Sequence, residues 1–121
     1  WPTNLQTIIG YDYEPDANHP AIDIDGEEGD PVYAVDNGVI VYAGWNDWGY
    51  GNVVVINHGN GWQTLYAHLS AYYVNCGQLI FQGNPIGAIG TTGKSTGPHL
   101  HFEMMEDTYG KVNPWNFLPA A

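Results

Sequence analysis

Residues 96–105, TGPHLHFEMM, decide how this chain is read. In an extended strand successive side chains point to opposite faces, so Leu100, Phe102 and Met104 share one side while His99, His101 and Glu103 share the other. The apolar set reads as core. The polar set then lines an accessible surface, on which two imidazoles stand about 7 Å apart at about 3.3 Å of rise per residue. Taken alone, the stretch fits two ordinary surface histidines as well as it fits a metal or catalytic pair. Chemistry requires that other residues converge on them.

Outward from this run, short β-type segments recur between glycine-rich turns: PVYAV, GVIVYAGW, NVVVINH, WQTLYAHL, QLIFQG and PIGAIG. No ten-residue stretch carries a helical stripe. Asn60-Gly61, between Val53–His58 and Trp62–Leu69, is a hairpin signal. The pattern predicts an all-β sandwich or small barrel. The Pro-, Asp- and Tyr-rich segment Trp1–Asn18 reads as irregular, and residues 113–121 read as a tail anchored by Trp115 and Phe117. Neither a linker nor a repeat is visible.

At 121 residues the length fits one domain, residues 1–121, with 44% hydrophobic residues to build its core. Thirteen acidic residues against two lysines, Lys94 and Lys111, give a formal net charge of −11. Such a surface repels phosphate backbones and anionic lipids, which argues against nucleic-acid binding and basic membrane docking. GTTGKSTG, residues 90–97, mimics a phosphate-binding loop, but Gly90 and Gly93 are too close in sequence for one. No apolar run reaches the length of a membrane span, and Trp1-Pro2 opens no signal-peptide pattern, as expected of a mature or excised domain. Cys76 is the single cysteine. It rules out an internal disulfide and a thiolate-based zinc site, and is expected to be a semi-buried structural thiol.

The five histidines are His19, His58, His68, His99 and His101. HPAIDID, residues 19–25, puts His19, Asp23 and Asp25 on one face of an extended segment and Ile22 and Ile24 on the other. Periodicity does not choose between the two aspartates. His19, one aspartate and one histidine of the His-x-His pair form an N/O set of three that leaves a fourth position open, as catalytic zinc requires. In TLYAHLS, Leu65, Ala67 and Leu69 alternate with Tyr66, His68 and Ser70, which places His68 on a polar strand face. Three segments each exposing an imidazole point to a common site. His58, beside the hairpin turn, reads as a turn or surface residue.

HPAID, YAHLS and STGPHLHFE, in this order and spacing, resemble the lysostaphin-type (LytM-like) zinc endopeptidases of bacterial cell walls. GDPVYAVDNGVIVYAGW, GYGNVVVINHGNGWQTLYAHLS and GQLIFQGNPIGAIGTTGKSTGPHLHFE extend the similarity from about Tyr11 to Glu103. The resemblance implies His19, Asp23 and His101 as ligands of one Zn²⁺ per chain, and His68 and His99 as catalytic histidines. It also implies a two-layered antiparallel β architecture, of barrel-sandwich type, with a loop-walled groove over the catalytic strands. The substrate it implies is a peptidoglycan peptide, stem or cross-bridge, cut by an exported, monomeric enzyme without membrane insertion.

Tyr13, Trp48 and Lys94 are the expected substrate contacts; Lys94, in the loop leading to His99, is placed to meet a substrate carboxylate. GYDYEPDAN replaces the arginine-containing stretch that many members carry before the first zinc histidine, which alters one groove wall. Some members have lost ligands and act as regulators or wall-binding modules; here all five positions are filled. An aromatic-rich sugar-binding sandwich, using Trp45, Trp48, Tyr50 and Tyr72, is the further alternative, and it would need neither metal nor imidazoles.

Overall fold

The computed structural model describes residues 2–3, 22–47, 49–59, 61–93, 97–106 and 110–112. These form nine strands and no helix: β1 (Ile22–Asp25), β2 (Pro31–Tyr33), β3 (Gly38–Asn46), β4 (Gly51–Gly59), β5 (Trp62–Tyr72), β6 (Leu79–Ile80), β7 (Pro85–Ile89), β8 (His99–Glu106) and β9 (Gly110–Val112). Every pairing is antiparallel, along the order β1-β8-β5-β4-β3-β6, with β9 added on β8 and the β2–β7 pair attached to β5. The all-β expectation holds. All seven predicted β-runs contain strands, and the β4–β5 hairpin closes with Gly59 opposite Trp62. β9 was not foreseen, because a three-residue Gly-Lys-Val segment carries no strand pattern of its own.

Strand β5 organises the layers. Its first part, Trp62–Ala67, pairs with β8, and its second, Leu69–Tyr72, pairs with β7. The main core lies on one face of the sheet, where Ile22, Ile24, Ile40, Ile56, Tyr66 and Phe102 pack with Val32 of β2 and Ile86 and Ile89 of β7. A smaller cluster on the opposite face joins Val53, Leu65 and Ala67 with Tyr50, Val55 and Met105. The sheet is thus apolar on both faces near β5, which corrects the alternation expected there. Tyr66 is fully buried in the main core, not on a polar face, while Leu65 and Ala67 belong to the second cluster.

Burying the Tyr66 phenol demands partners, and a chain of hydrogen bonds supplies them. Val35 N–H donates to the Tyr66 oxygen (3.2 Å), the Tyr66 hydroxyl to Thr64 Oγ1 (2.8 Å), and Thr64 in turn to His58 Nε2 (2.7 Å). His58 Nδ1–H ends the series on the Asn37 carbonyl (2.7 Å). Burial pushes the Tyr66 phenol above its ordinary pKa, so the donor at its place in the series stays protonated. His58 is therefore a strand residue that ties β4 to the Asn37 turn. Cys76 is exposed instead of semi-buried: it sits in the tight Asn75–Gln78 turn before β6, with its thiol directed at the Val41 carbonyl.

Candidate active site

On β8 the predicted alternation of faces is realised, but Glu103, expected on an accessible surface, is buried at 1% exposure. Leu100 and Phe102 are fully buried in the main core, and His99 and His101 emerge on the other face beside Asp23. The register sets Asp23 directly across from His101, and Asp25 across from His99. Asp23 Oδ1 lies 3.2 Å from His101 Nδ1 and 3.5 Å from His99 Nε2. Asp23 thus makes the contact with both histidines that the resemblance implies for the metal-site aspartate.

His68 reaches this face by a backbone irregularity. Between β4 and β5 the register runs from Asn52↔Leu69 to Val54↔Tyr66, so β5 carries one residue more than its partner across this interval. His68 takes φ 62° within that bulge, the only positive φ among the described non-glycine residues. Bulges re-aim side chains. Strict alternation from Tyr66 would send His68 into the core; the bulge turns it out and returns Leu69 to the core in its place. The His68 ring then meets His99 edge-on, with centroids 5.1 Å apart, and His101 at 5.5 Å. A left-handed conformation at a histidine costs about 1–3 kcal/mol and persists only where its surroundings impose it. Here they do: His68 N–H donates to the Tyr50 carbonyl (2.8 Å) and Nδ1–H to the Thr92 carbonyl (2.7 Å).

The two carbonyls come from loops that touch through glycine. A Cβ on Gly93, whose φ is 72°, would lie 2.5 Å from Gly49 O and Gly51 N, and one on Gly51 would lie 2.5 Å from the Thr92–Gly93 backbone. Thr92 is pinned further by its hydroxyl, which donates to the Leu69 carbonyl (2.7 Å) and accepts from Asn52 N–H (3.1 Å). Because backbone cannot yield as a side-chain tip can, Gly93→Ala is expected to lose about 2 kcal/mol or more of stability, read from the urea midpoint.

Ring-nitrogen partners divide the three histidines into two kinds. His68 and His99 each direct Nδ1 at a backbone carbonyl, Thr92 and Gly97 (2.9 Å), which places the Nδ1 proton there and leaves Nε2 as the basic nitrogen. His101 is reversed: Nε2 is 2.8 Å from Glu103 Oε2 and Nδ1 faces Asp23. Burial depresses the His68 pKa to about 4, with the Thr92 carbonyl opposing and His101 and His99 adding to the fall. At His101 burial also depresses, but the Asp23 and Glu103 carboxylates outweigh it and raise the pKa to about 8.

These opposite shifts predict the pH profile of the metal-free protein. The depressed His68 makes stability fall as pH drops from about 6.5 towards 4, where the unfolded chain binds the extra proton. The raised His101 contributes fully below about 6.5 and loses its contribution as pH rises through 8. Melting temperature in excess chelator is therefore expected to peak between these limbs, and His68→Gln to flatten the acid limb alone.

Among the described residues no three His, Cys, Asp or Glu side chains are arranged to hold a metal ion. His19, predicted to be the third ligand, lies outside the described residues, as do Tyr13, Trp48, Lys94, Trp115 and Phe117. The donor chemistry of the two described members nevertheless fits a cation. With its Nε2 proton given to Glu103, a neutral His101 turns an Nδ1 lone pair towards a carboxylate oxygen 3.2 Å away. Two facing acceptors need a proton or a cation shared by both, and an N/O donor pair suits zinc. Three contributors had gone unread in the sequence. Glu103 was placed on the right face without a role, Tyr50 was weighed only as a sugar-stacking ring, and Thr92 carried no signal because it acts through its backbone.

The sequence and the architecture have counterparts among known proteins. The model of peptidase family M23 matches residues 17–114. The DD-carboxypeptidase/endopeptidase Mpg of Neisseria meningitidis serogroup B is 45% identical over 105 residues, 84% of this chain and 24% of that protein. Lysostaphin of Staphylococcus simulans is 36% identical over all of this chain and 26% of its own length. The chain thus spans about a quarter of these curated relatives. Among solved structures, the catalytic domain of lysostaphin from Staphylococcus simulans superposes with a TM-score of 0.78 at 38% identity, covering 82% of this chain and 77% of that one. A zinc containing peptidase from Vibrio cholerae gives a TM-score of 0.81 at 30% identity, over 93% and 37%. Sequence and fold agree along most of the chain's length, and the chain belongs to peptidase family M23.

Proposed function

We propose that residues 1–121 form a single zinc-dependent endopeptidase domain that hydrolyses peptide bonds in bacterial peptidoglycan. His19, Asp23 and His101 would hold one Zn²⁺, which when bound supplies Lewis acidity and a water acidified to a pKa of about 7. The observation that carries this reading is the opposed orientation of the histidines. His101 gives Nε2 to Glu103 and presents Nδ1 to Asp23, whereas His68 and His99 give Nδ1 to backbone carbonyls and keep Nε2, that of His99 lying 3.5 Å from Asp23. One ring is set to ligate and two are set to exchange protons.

The residues divide the work accordingly. His68 stays neutral well below neutral pH, so its Nε2 is ready to accept a proton from the attacking water. His99 Nε2, close to Asp23, is placed on the same face to stabilise developing charge or protonate the leaving amine. No glutamate is needed as base, in contrast to the helical H-E-x-x-H proteases. The relatives named for endopeptidase activity support a peptide target. We further propose that the domain acts as an exported monomer, in the envelope or outside the cell, and that the acidic surface leaves wall targeting to other parts of the parent protein.

Digestion of purified cell walls tests the reaction. New amines and carboxylates should appear from peptide bonds, with no new reducing sugar ends. Fragments cut within the glycan, or at the lactyl-amide bond between glycan and peptide, would refute it. A chain that binds walls without cutting them would be the regulatory or binding module instead. Activity is also expected to vanish on chelation and return with zinc.

A further inference from the structure

Glu103 is 1% exposed and is given no direct part in the hydrolysis proposed above. A carboxylate so deeply buried must be held by donors. Among the described residues its Oε2 meets the Tyr50 hydroxyl at 2.7 Å and His101 Nε2 at 2.8 Å. Both distances are those of charge-assisted hydrogen bonds. The three groups form a series in which Tyr50 O–H and His101 Nε2–H converge on one oxygen.

That series has a direction. A neutral imidazole carries one proton, and the carboxylate fixes it on Nε2, which leaves Nδ1 as the lone-pair nitrogen. Nδ1 is the atom that faces Asp23. The ring plane is fixed too, since Tyr50 packs against it at 5.6 Å between centroids, tilted by 49°.

We propose that Glu103, braced by Tyr50, is a positioning residue that sets the tautomer and orientation of His101 so that Nδ1 is presented to the metal; this rests on the zinc reading above. Tyr50 gives the device a second output. Its backbone carbonyl receives the His68 N–H, so one residue of the Gly49–Gly51 loop steadies both the ligating ring and the bulge that carries the proton-transferring ring. Carboxylates behind ligating histidines raise ligand basicity and hold orientation, and their loss typically weakens metal binding by about 10–100-fold.

Two measurements test this, and the first needs no metal. Long-range ¹H–¹⁵N spectra of the metal-free protein, recorded at alkaline pH once the His101 signals no longer move with pH, should show its proton on Nε2. A proton on Nδ1 would overturn the proposal. The second is zinc affinity by competition with a chromophoric chelator, alongside melting curves to confirm folding. Glu103→Leu is expected to bind zinc about 10–100-fold more weakly. Glu103→Gln, whose amide oxygen still accepts from Nε2, should recover most of that loss. Tyr50→Phe keeps the ring and the carbonyl and removes only the hydroxyl, so about 3–10-fold is expected, the worth of one hydrogen bond. Since Tyr50 acts through Glu103, it should add nothing in the Glu103→Leu background. Unchanged affinity in Glu103→Leu, or additive losses in the double variant, would overturn the proposal and leave the zinc reading standing. Failure of the unsubstituted chain to bind zinc would instead sink the zinc reading, and with it the metal-presenting role.

Discussion

His68→Gly and His68→Ala are both expected to lose about 10²–10⁴-fold in turnover while keeping one zinc per chain, and the glycine variant is expected to be the more stable of the two. The loss of rate follows from removing a proton-transfer group that touches His99 and His101 edge-on without lying between Asp23 and His101. The difference in stability follows from the backbone. Both variants delete the same ring and the same hydrogen bond to the Thr92 carbonyl, so those contributions cancel in the comparison. What remains is φ 62°, which glycine adopts freely and alanine resists by about 1–2 kcal/mol. Urea denaturation of the two purified variants measures it. Equal midpoints would mean that the left-handed bulge does not exist in solution. Metal-free His68→Ala alongside zinc-loaded His19→Ala would mean that the ligand and proton-transfer roles are reversed.

This bulge also marks where sequence reading stops. On β8 the alternation was legible because one face is core and the other is the site, so apolar and polar residues separate cleanly. On β5 the two faces are both buried, Tyr66 in the main core and Leu65 with Ala67 in the second cluster, and a strand apolar on both sides carries no period-2 signal. The extra residue at His68 then inverts the phase without leaving a glycine to announce it. His68 was assigned to the common site by a faulty alternation that put it on the accessible surface, and given its catalytic role by resemblance. The pairing of Asp23 with His101 was hidden for another reason: it is set by the register of β1 against β8, which places Asp25 across from His99. Register belongs to two strands at once, and a pattern read along one of them does not contain it. Glu103 was visible as the third polar residue of His-x-His-x-Glu, but its value depends on Tyr50, 53 residues away in sequence.

His101→Ala is expected to abolish zinc binding and, with it, hydrolysis. An open site with three protein ligands has none to spare, and His101 is the member held from both ends. Its Nδ1 faces Asp23 at 3.2 Å and its Nε2 faces Glu103 at 2.8 Å. Truncation therefore removes a ligand and also leaves two buried carboxylates, Asp23 at 7% and Glu103 at 1% exposure, without the imidazole between them. The vacated position then offers carboxylate oxygens without the imidazole nitrogen, too few protein ligands to hold zinc. Elemental analysis after dialysis should find zinc falling from one per chain towards none. The graded series is the stronger test: His101→Ala should lose the metal outright, Glu103→Leu should weaken it by about 10–100-fold, and His68→Ala should leave it in place. Full zinc occupancy in His101→Ala would remove the ligand assignment. Comparable losses across all three variants would show general loosening of the strands, not a site in which one ring ligates, one carboxylate aims it and another ring moves protons.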